Sequence, residues 1–196
     1  MLPVLRREYN ETRRYIKLMA WLNTEFERRE LGRIIITGGF AVEVYSGRIY
    51  RTMDVDIIVE GKACDILEAL LKRIGERIGR GYLLKYEELE LKSIDIVSKV
   101  YNRRLAPVKL QVDELYVYLD PPEALITTYL AGWKFWDATE DRDKAIWLLA
   151  ATKPILKIDV LNKLAKESDV ADKLNELFSM LMEVMQEKGG GQAEET

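Results

Sequence analysis

The chain has 196 residues, is 48% hydrophobic and 32% charged, and carries a formal net charge of −3. That is enough for one well-buried domain, or a small domain with a helical extension, and the composition excludes a largely disordered chain. The apolar runs at 34–36, 57–59 and 147–151 are far below membrane-spanning length, so no membrane association is expected.

Further chemistries fall away on residue counts. The start turns charged at once, with no apolar segment of the kind a signal peptide needs, so none is expected. One cysteine, Cys64, excludes an internal disulfide framework and fits a reducing, cytoplasmic setting; its apolar helical surroundings mark it as a small core residue. There is no histidine, which removes Ser-His-Asp and Cys-His catalysis and His-rich zinc sites. Acid–base or metal chemistry therefore rests on carboxylates, lysines, tyrosines or water. Oxygen ligands suit Mg2+ or Mn2+.

In chain order, residues 5–30 read as one long amphipathic helix, with Leu5, Tyr9, Ile16, Met19 and Leu22 at helical spacing. Arg6, Arg7, Arg13, Arg14 and Lys17 form either its solvated face or a nucleic-acid contact. Gly32 ends it, and 33–37 form a short β-rich strand. Gly38-Gly39 opens a small helix to Tyr45, stopped by Gly47. Residues 53–60 make the clearest strand, with Asp54, Asp56 and Ile58 on one face and Val55, Ile57 and Val59 on the other. A helix over 64–74 ends in a turn at Gly79 and Gly81, and strands follow at 90–97 and 115–119. Beyond Pro121-Pro122 four helices are predicted, near 122–136, 140–151, 157–167 and 169–187. The fold class is thus α+β: a small mixed sheet flanked by helices over 1–120, then a C-terminal helical bundle over 121–188 and a flexible tail at 189–196.

Asp54 and Asp56 converge on one side of an otherwise apolar strand. Two such carboxylates repel one another and are costly to bury unless a cation or water lies between them, which favours metal binding over a plain sheet-edge surface. Gly38-Gly39 is the complement. Glycines between strand and helix admit close approach of a ligand and leave helix-start N–H groups for a phosphate, although alone they would mark only a tight turn. Together the two features match a nucleoside triphosphate, which needs an anion cradle and a metal. Asp95 is the third carboxylate, mid-strand among apolar neighbours, and three carboxylates can hold two metals. Asp113 reads as a turn residue and Asp65 as an exposed helix residue.

The run ITGGFAVEVYSGRIYRTMDVDIIVE, with its Gly-Gly, short helix and Asp-x-Asp strand, resembles the polymerase-beta-type nucleotidyltransferase superfamily. Its spacing, with Arg51-Thr52 before Asp54, looks most like the AbiEii/AbiGii-type toxins and their relatives. The resemblance covers about 33–60 and extends to Asp95. It implies the nucleotidyltransferase fold, triphosphate binding at Gly38 and Gly39, and a metal site of Asp54, Asp56 and Asp95. The implied reaction moves a nucleoside monophosphate onto a hydroxyl of RNA or protein and releases pyrophosphate.

In the toxin-like pattern a helical lysine, then an arginine and an aspartate, follow; Lys134, Arg142 and Asp143 match, while the second aspartate is missing, with Ile146 and Trp147 in its region. Arg51, Thr52, Lys134 and Arg142 are therefore the further nucleotide-binding candidates. Lys134 can equally be a surface lysine between two aromatics, and Arg51 can simply pair with a neighbouring acid. An antitoxin is a possible partner on this resemblance. A nucleotide-binding module without turnover, and an antitoxin-like binding protein, are the alternatives.

Overall fold

The structure, a computed structural model, describes residues 1–190, with side chains described to Glu183. The chain divides into two compact units, Met1–Pro121 and Pro122–Thr196.

The first unit is built on β1 (Ile34–Ile36), β2 (Asp54–Val59), β3 (Gly75–Ile78), β4 (Gly81–Leu84), β5 (Ser93–Ser98), β6 (Val108–Val112) and β7 (Leu115–Leu119). They form one mixed seven-stranded sheet in the order β3-β4-β5-β2-β1-β7-β6. The central pairs β2/β5 and β1/β7 are parallel, while β1/β2 and the outer pairs β3/β4, β4/β5 and β6/β7 are antiparallel. The order explains the residue pattern. β1 lies mid-sheet, and its three isoleucines are wholly buried, as expected of a strand covered on both faces. The helices of this unit are α1 (Leu2–Arg6), α2 (Glu11–Arg28), α3 (Gly38–Tyr45) and α4 (Ala63–Ile74), with a single 3-10 turn at Glu87–Leu89.

The expected 5–30 helix is in fact two. Asn10 adopts an extended conformation and its side-chain oxygen accepts the Arg13 N–H at 3.0 Å, so it caps a new helix and breaks the run at 7–10. Hydrophobic spacing carries through such a break, which is why periodicity alone joins the two. The helix after β2 ends at Gly75, and the turn at Gly79 joins an unanticipated hairpin, β3–β4. β3 (Gly-Glu-Arg-Ile) is mostly exposed at the sheet edge and lacks an apolar face to announce it. The opposite edge strand β6 was also unanticipated, although Val108, Leu110 and Val112 alternate with Lys109 and Gln111. The strand expected from residue 90 starts at Ser93, because the 3-10 turn precedes it and Lys92 points inward instead.

Asp113 does lie in a turn, the β6–β7 one, with φ +55°. Cys64 is buried in α4, and Asp65 is exposed and paired with Lys99 at 3.2 Å. The basic residues near the start are largely paired with acids: Arg6 with Glu88, and Arg13 and Lys17 with Glu8.

The second unit is helical, as expected: α5 (Pro122–Trp136), α6 (Thr139–Thr152), α7 (Ile158–Glu167) and α8 (Ala171–Gly190). Leu125, Leu130, Leu148, Leu161 and Leu177 are buried within it. Of the expected tail at 189–196, residues 191–196 lie outside the described residues. Among the described residues no helix is long and apolar enough to cross a membrane.

Candidate active site

The sheet order brings the sequence-distant candidates together. β2 and β5 run parallel as neighbours, with Asp54 opposite Ser93 and Asp56 opposite Asp95. Directly paired residues on adjacent strands lie about 5 Å apart, so the carboxylates face each other across the ladder. Ser93 sits between them: its hydroxyl reaches Asp54 Oδ1 at 2.7 Å and Asp95 Oδ1 at 3.0 Å. Asp54 is exposed, Asp56 half-buried, and Asp95 8% exposed, so the group runs from solvent into the protein. Burial, then the charges of Asp95 and Asp54, push the Asp56 carboxyl above its ordinary value. The Gly39 backbone N–H and the charge of Arg80 act in the opposite direction.

The glycines meet these carboxylates from β1. Strand β1 delivers the chain to Thr37, and α3 starts at Gly38 with φ +57°, a backbone conformation that suits glycine. A methyl group at Gly38 would stand 2.1 Å from Asp56 Oδ2, so the missing side chain is what lets the carboxylate lie over the helix start. Gly39 is packed less tightly: its added carbon would meet Thr52 Oγ1 at 3.1 Å. On the far side, Gly81 of β4 leaves room for the Asp95 carboxylate, and Arg80 at the β3–β4 hairpin tip is the cation acting on Asp56. Sequence reasoning missed Ser93, Arg80 and Gly81, the last two because β3, the first strand of the hairpin that presents them, has no apolar face.

Two buried polar centres flank the glycine turn. Asp120, fully buried just beyond β7, accepts from the Thr37 hydroxyl at 2.8 Å, from Tyr101 at 3.2 Å and from Arg103 Nε at 3.2 Å. Burial and this carboxylate push the Tyr101 phenol well above its usual range. On the other side, Glu43 of α3 and Lys92 form a buried pair at 2.9 Å. Glu43 had a sequence signal, a lone charge in the apolar run Phe40 to Tyr45. Asp120 and Lys92 had none, since a charged residue beside a proline or a strand end is ordinary on a surface.

Thr52 lies against Gly39, and its hydroxyl accepts the Asp54 N–H at 3.4 Å. Arg51 is turned away from this contact and its guanidinium binds the Glu11 carboxylate. Lys134 and Arg142 belong to the second unit. Lys134 Nζ donates to the Asp169 carbonyl at 2.6 Å and to Asp172 at 2.9 Å, and Arg142 pairs with the adjacent Asp143 at 2.9 Å.

Among the described residues no three acidic or thiol side chains converge into a ready-made ion cage. The carboxylates of Asp54 and Asp95 are engaged by Ser93 instead. In kind the donors fit a hard divalent cation: they are all oxygens, on neighbouring strands, with mutual repulsion that a cation would relieve. The arrangement can present an oxygen-lined cation position beside a glycine helix start able to donate N–H groups to an anion.

No family model matches the sequence, and no curated protein sequence matches it either. Solved structures do resemble it. One is an antigenic nucleotidyltransferase-like protein from Paracoccidioides brasiliensis, with TM-score 0.57 and 16% identity over 89% of this chain and 93% of that one. Another is the antibiotic-resistance factor ANT(2'')-Ia in solution, with TM-score 0.50 and 16% identity over 88% of this chain and 97% of that one. At such identity the likeness is one of architecture, and it bears out the expected class: this chain has the nucleotidyltransferase fold, a mixed sheet followed by helices.

Proposed function

We propose that the chain is a divalent-metal-dependent nucleotidyltransferase that moves a nucleoside monophosphate from a triphosphate to a hydroxyl of RNA or protein. One observation carries this: Asp56 packs directly over the Gly38 helix start while facing Asp95 across a parallel ladder, so anion cradle and carboxylates share one spot. The fold likeness supports it.

In this reading the Gly38 N–H, and the Gly39 N–H once released from Asp56, meet the triphosphate, and Asp54, Asp56 and Asp95 hold Mg2+ or Mn2+. The bound cation would neutralise phosphate charge and lower the pKa of the attacking hydroxyl. Ser93 orients Asp54 and Asp95, and Arg80 adds positive charge beside Asp56. Arg51 would have to leave Glu11 to meet a phosphate, and Lys134 would have to leave Asp169 and Asp172. Thr52 adds a nucleotide contact within the first unit, and Arg142 is a candidate on the AbiEii/AbiGii-like resemblance alone. A toxin role with an antitoxin partner belongs to the same reading, and growth arrest on expression, relieved by Asp54→Asn, is the sign of the toxin role.

The test is incubation with each of four labelled triphosphates, Mg2+, cellular RNA and cellular protein, read by gel and mass. Wild-type protein is expected to label one acceptor class, and Asp54→Asn and Asp56→Asn to abolish labelling while folding normally. Equal labelling by wild type and the double variant would sink the proposal. A second reading, nucleotide binding without turnover, is favoured by the Ser93 hydroxyl, which engages the Asp54 and Asp95 carboxylates that would have to hold the ion. Calorimetric binding of Mg2+-nucleotide with no product after long incubation would select it.

A further inference from the structure

We infer that Lys92 and Glu43 are positioning residues, a buried ion pair that locks the glycine-bearing helix α3 to the segment entering the aspartate strand β2. The inference rests on reading Asp54 and Asp56 as the metal-holding carboxylates.

Lys92 is 1% exposed and Glu43 is 0% exposed, which is rare for charges and costly unless every polar atom finds a partner. Here they do. Lys92 Nζ donates to Glu43 Oε2 at 2.9 Å and to the Thr52 carbonyl, and lies 3.3 Å from Glu11 Oε1. Glu43 Oε2 also accepts the Thr52 N–H at 2.9 Å, and its Oε1 accepts the Thr12 hydroxyl. Both backbone polar groups of Thr52 are therefore held by this one pair.

Thr52 in turn touches one glycine and one carboxylate-bearing residue of the site. Its side chain abuts Gly39, and its hydroxyl accepts the Asp54 N–H. The next carbonyl, Met53, accepts the N–H of Ser93, the residue that follows Lys92 and bonds both Asp54 and Asp95. A buried pair of this kind is often no more stabilising than apolar groups of the same volume. What an apolar pair could not do is hold both the N–H and the C=O of Thr52.

The test compares Lys92→Met with the double variant Glu43→Gln/Lys92→Met, which leaves no unpaired buried charge and so keeps the fold if the single change does not. Circular dichroism reports folding, hydrogen exchange by mass spectrometry compares 51–54 with β1, and electron paramagnetic resonance counts bound Mn2+. The double variant is expected to fold, with exchange at 51–54 about tenfold faster, β1 unchanged, and Mn2+ affinity about tenfold lower. Transfer should lose about 100-fold in kcat with KM for the triphosphate little moved, as befits misplacement of reacting groups.

Wild-type exchange at 51–54 and wild-type Mn2+ affinity in the double variant would overturn the inference. So would loss of protection extending through β1, or failure of both variants to fold, since either assigns the pair to the fold rather than the site. If wild-type protein neither transfers nor binds Mn2+, the nucleotidyltransferase reading fails by itself, and local exchange still decides whether the pair holds the segment.

Discussion

Gly38 and Gly47 make a matched pair for testing the closeness of glycine helix and carboxylate. Both have positive φ, +57° and +61°, but Gly47 has open space where a side chain would go, whereas a methyl group at Gly38 would stand 2.1 Å from Asp56 Oδ2. Alanine at Gly47 incurs only the left-handed backbone cost, about 1 kcal/mol. Alanine at Gly38 incurs the same cost plus a collision of more than 1 Å, which overpacking data put at about 2 kcal/mol. The expected losses are thus about 1 and about 3 kcal/mol. With a urea dependence of about 2 kcal/mol per molar, the midpoints should differ by about 1 M. Urea unfolding followed by circular dichroism measures this, and adding Asp56→Ala to each variant should shrink the difference, leaving only the contact with the residue 56 Cβ at 2.9 Å. Equal midpoints for Gly38→Ala and Gly47→Ala would refute the close packing of Asp56 on the helix start.

Three further outcomes are expected. Mg2+ should raise the melting temperature of wild-type protein, by the equivalent of about 2.7 kcal/mol at 100 times its dissociation constant, and do nothing for Asp54→Asn/Asp56→Asn; an equal shift in both would place the ion elsewhere. Without metal, the raised Asp56 carboxyl favours the protonated form in the folded state, so its stabilising effect is complete below the ordinary value of 3.8 and is lost as pH rises through the folded value. Asp56→Asn should therefore be more stable than wild type at neutral pH, with the gap closing in acid; urea midpoints across pH read this, and a gap that widens in acid contradicts it. Asp120→Ala removes the acceptor shared by Thr37, Tyr101 and Arg103 and should cost about 3 kcal/mol, and a loss under about 1 kcal/mol in urea unfolding would mean that the glycine turn is held by other contacts.

Some of this protein was determined by sequence alone. Period-2 alternation over Asp54 to Val59 put both aspartates on one face, and glycine after a β-rich run marked the turn into α3, because backbone geometry within one element depends on neighbours in the chain. The four helices after Pro121 were equally legible from their spacing. The absence of histidine restricts the chemistry to oxygen, lysine and tyrosine groups whatever the fold.

Tertiary structure decided the rest. That Asp95 faces Asp56 follows from the parallel pairing of β2 with β5, and strand neighbours separated by a helix and a hairpin leave no local signature. The edge strand β3 declares itself only through its partner β4, since an exposed edge needs no apolar face. Arg51 and Lys134 read as phosphate ligands by position, yet each has an acid within reach that spacing could not reveal. The charges at Lys92 and Asp120 look like surface residues in sequence, and the lone Glu43 in its apolar run does not name its partner. They are buried because their partners arrive from elsewhere in the chain, and only the folded chain brings those partners near enough to offset the loss of water.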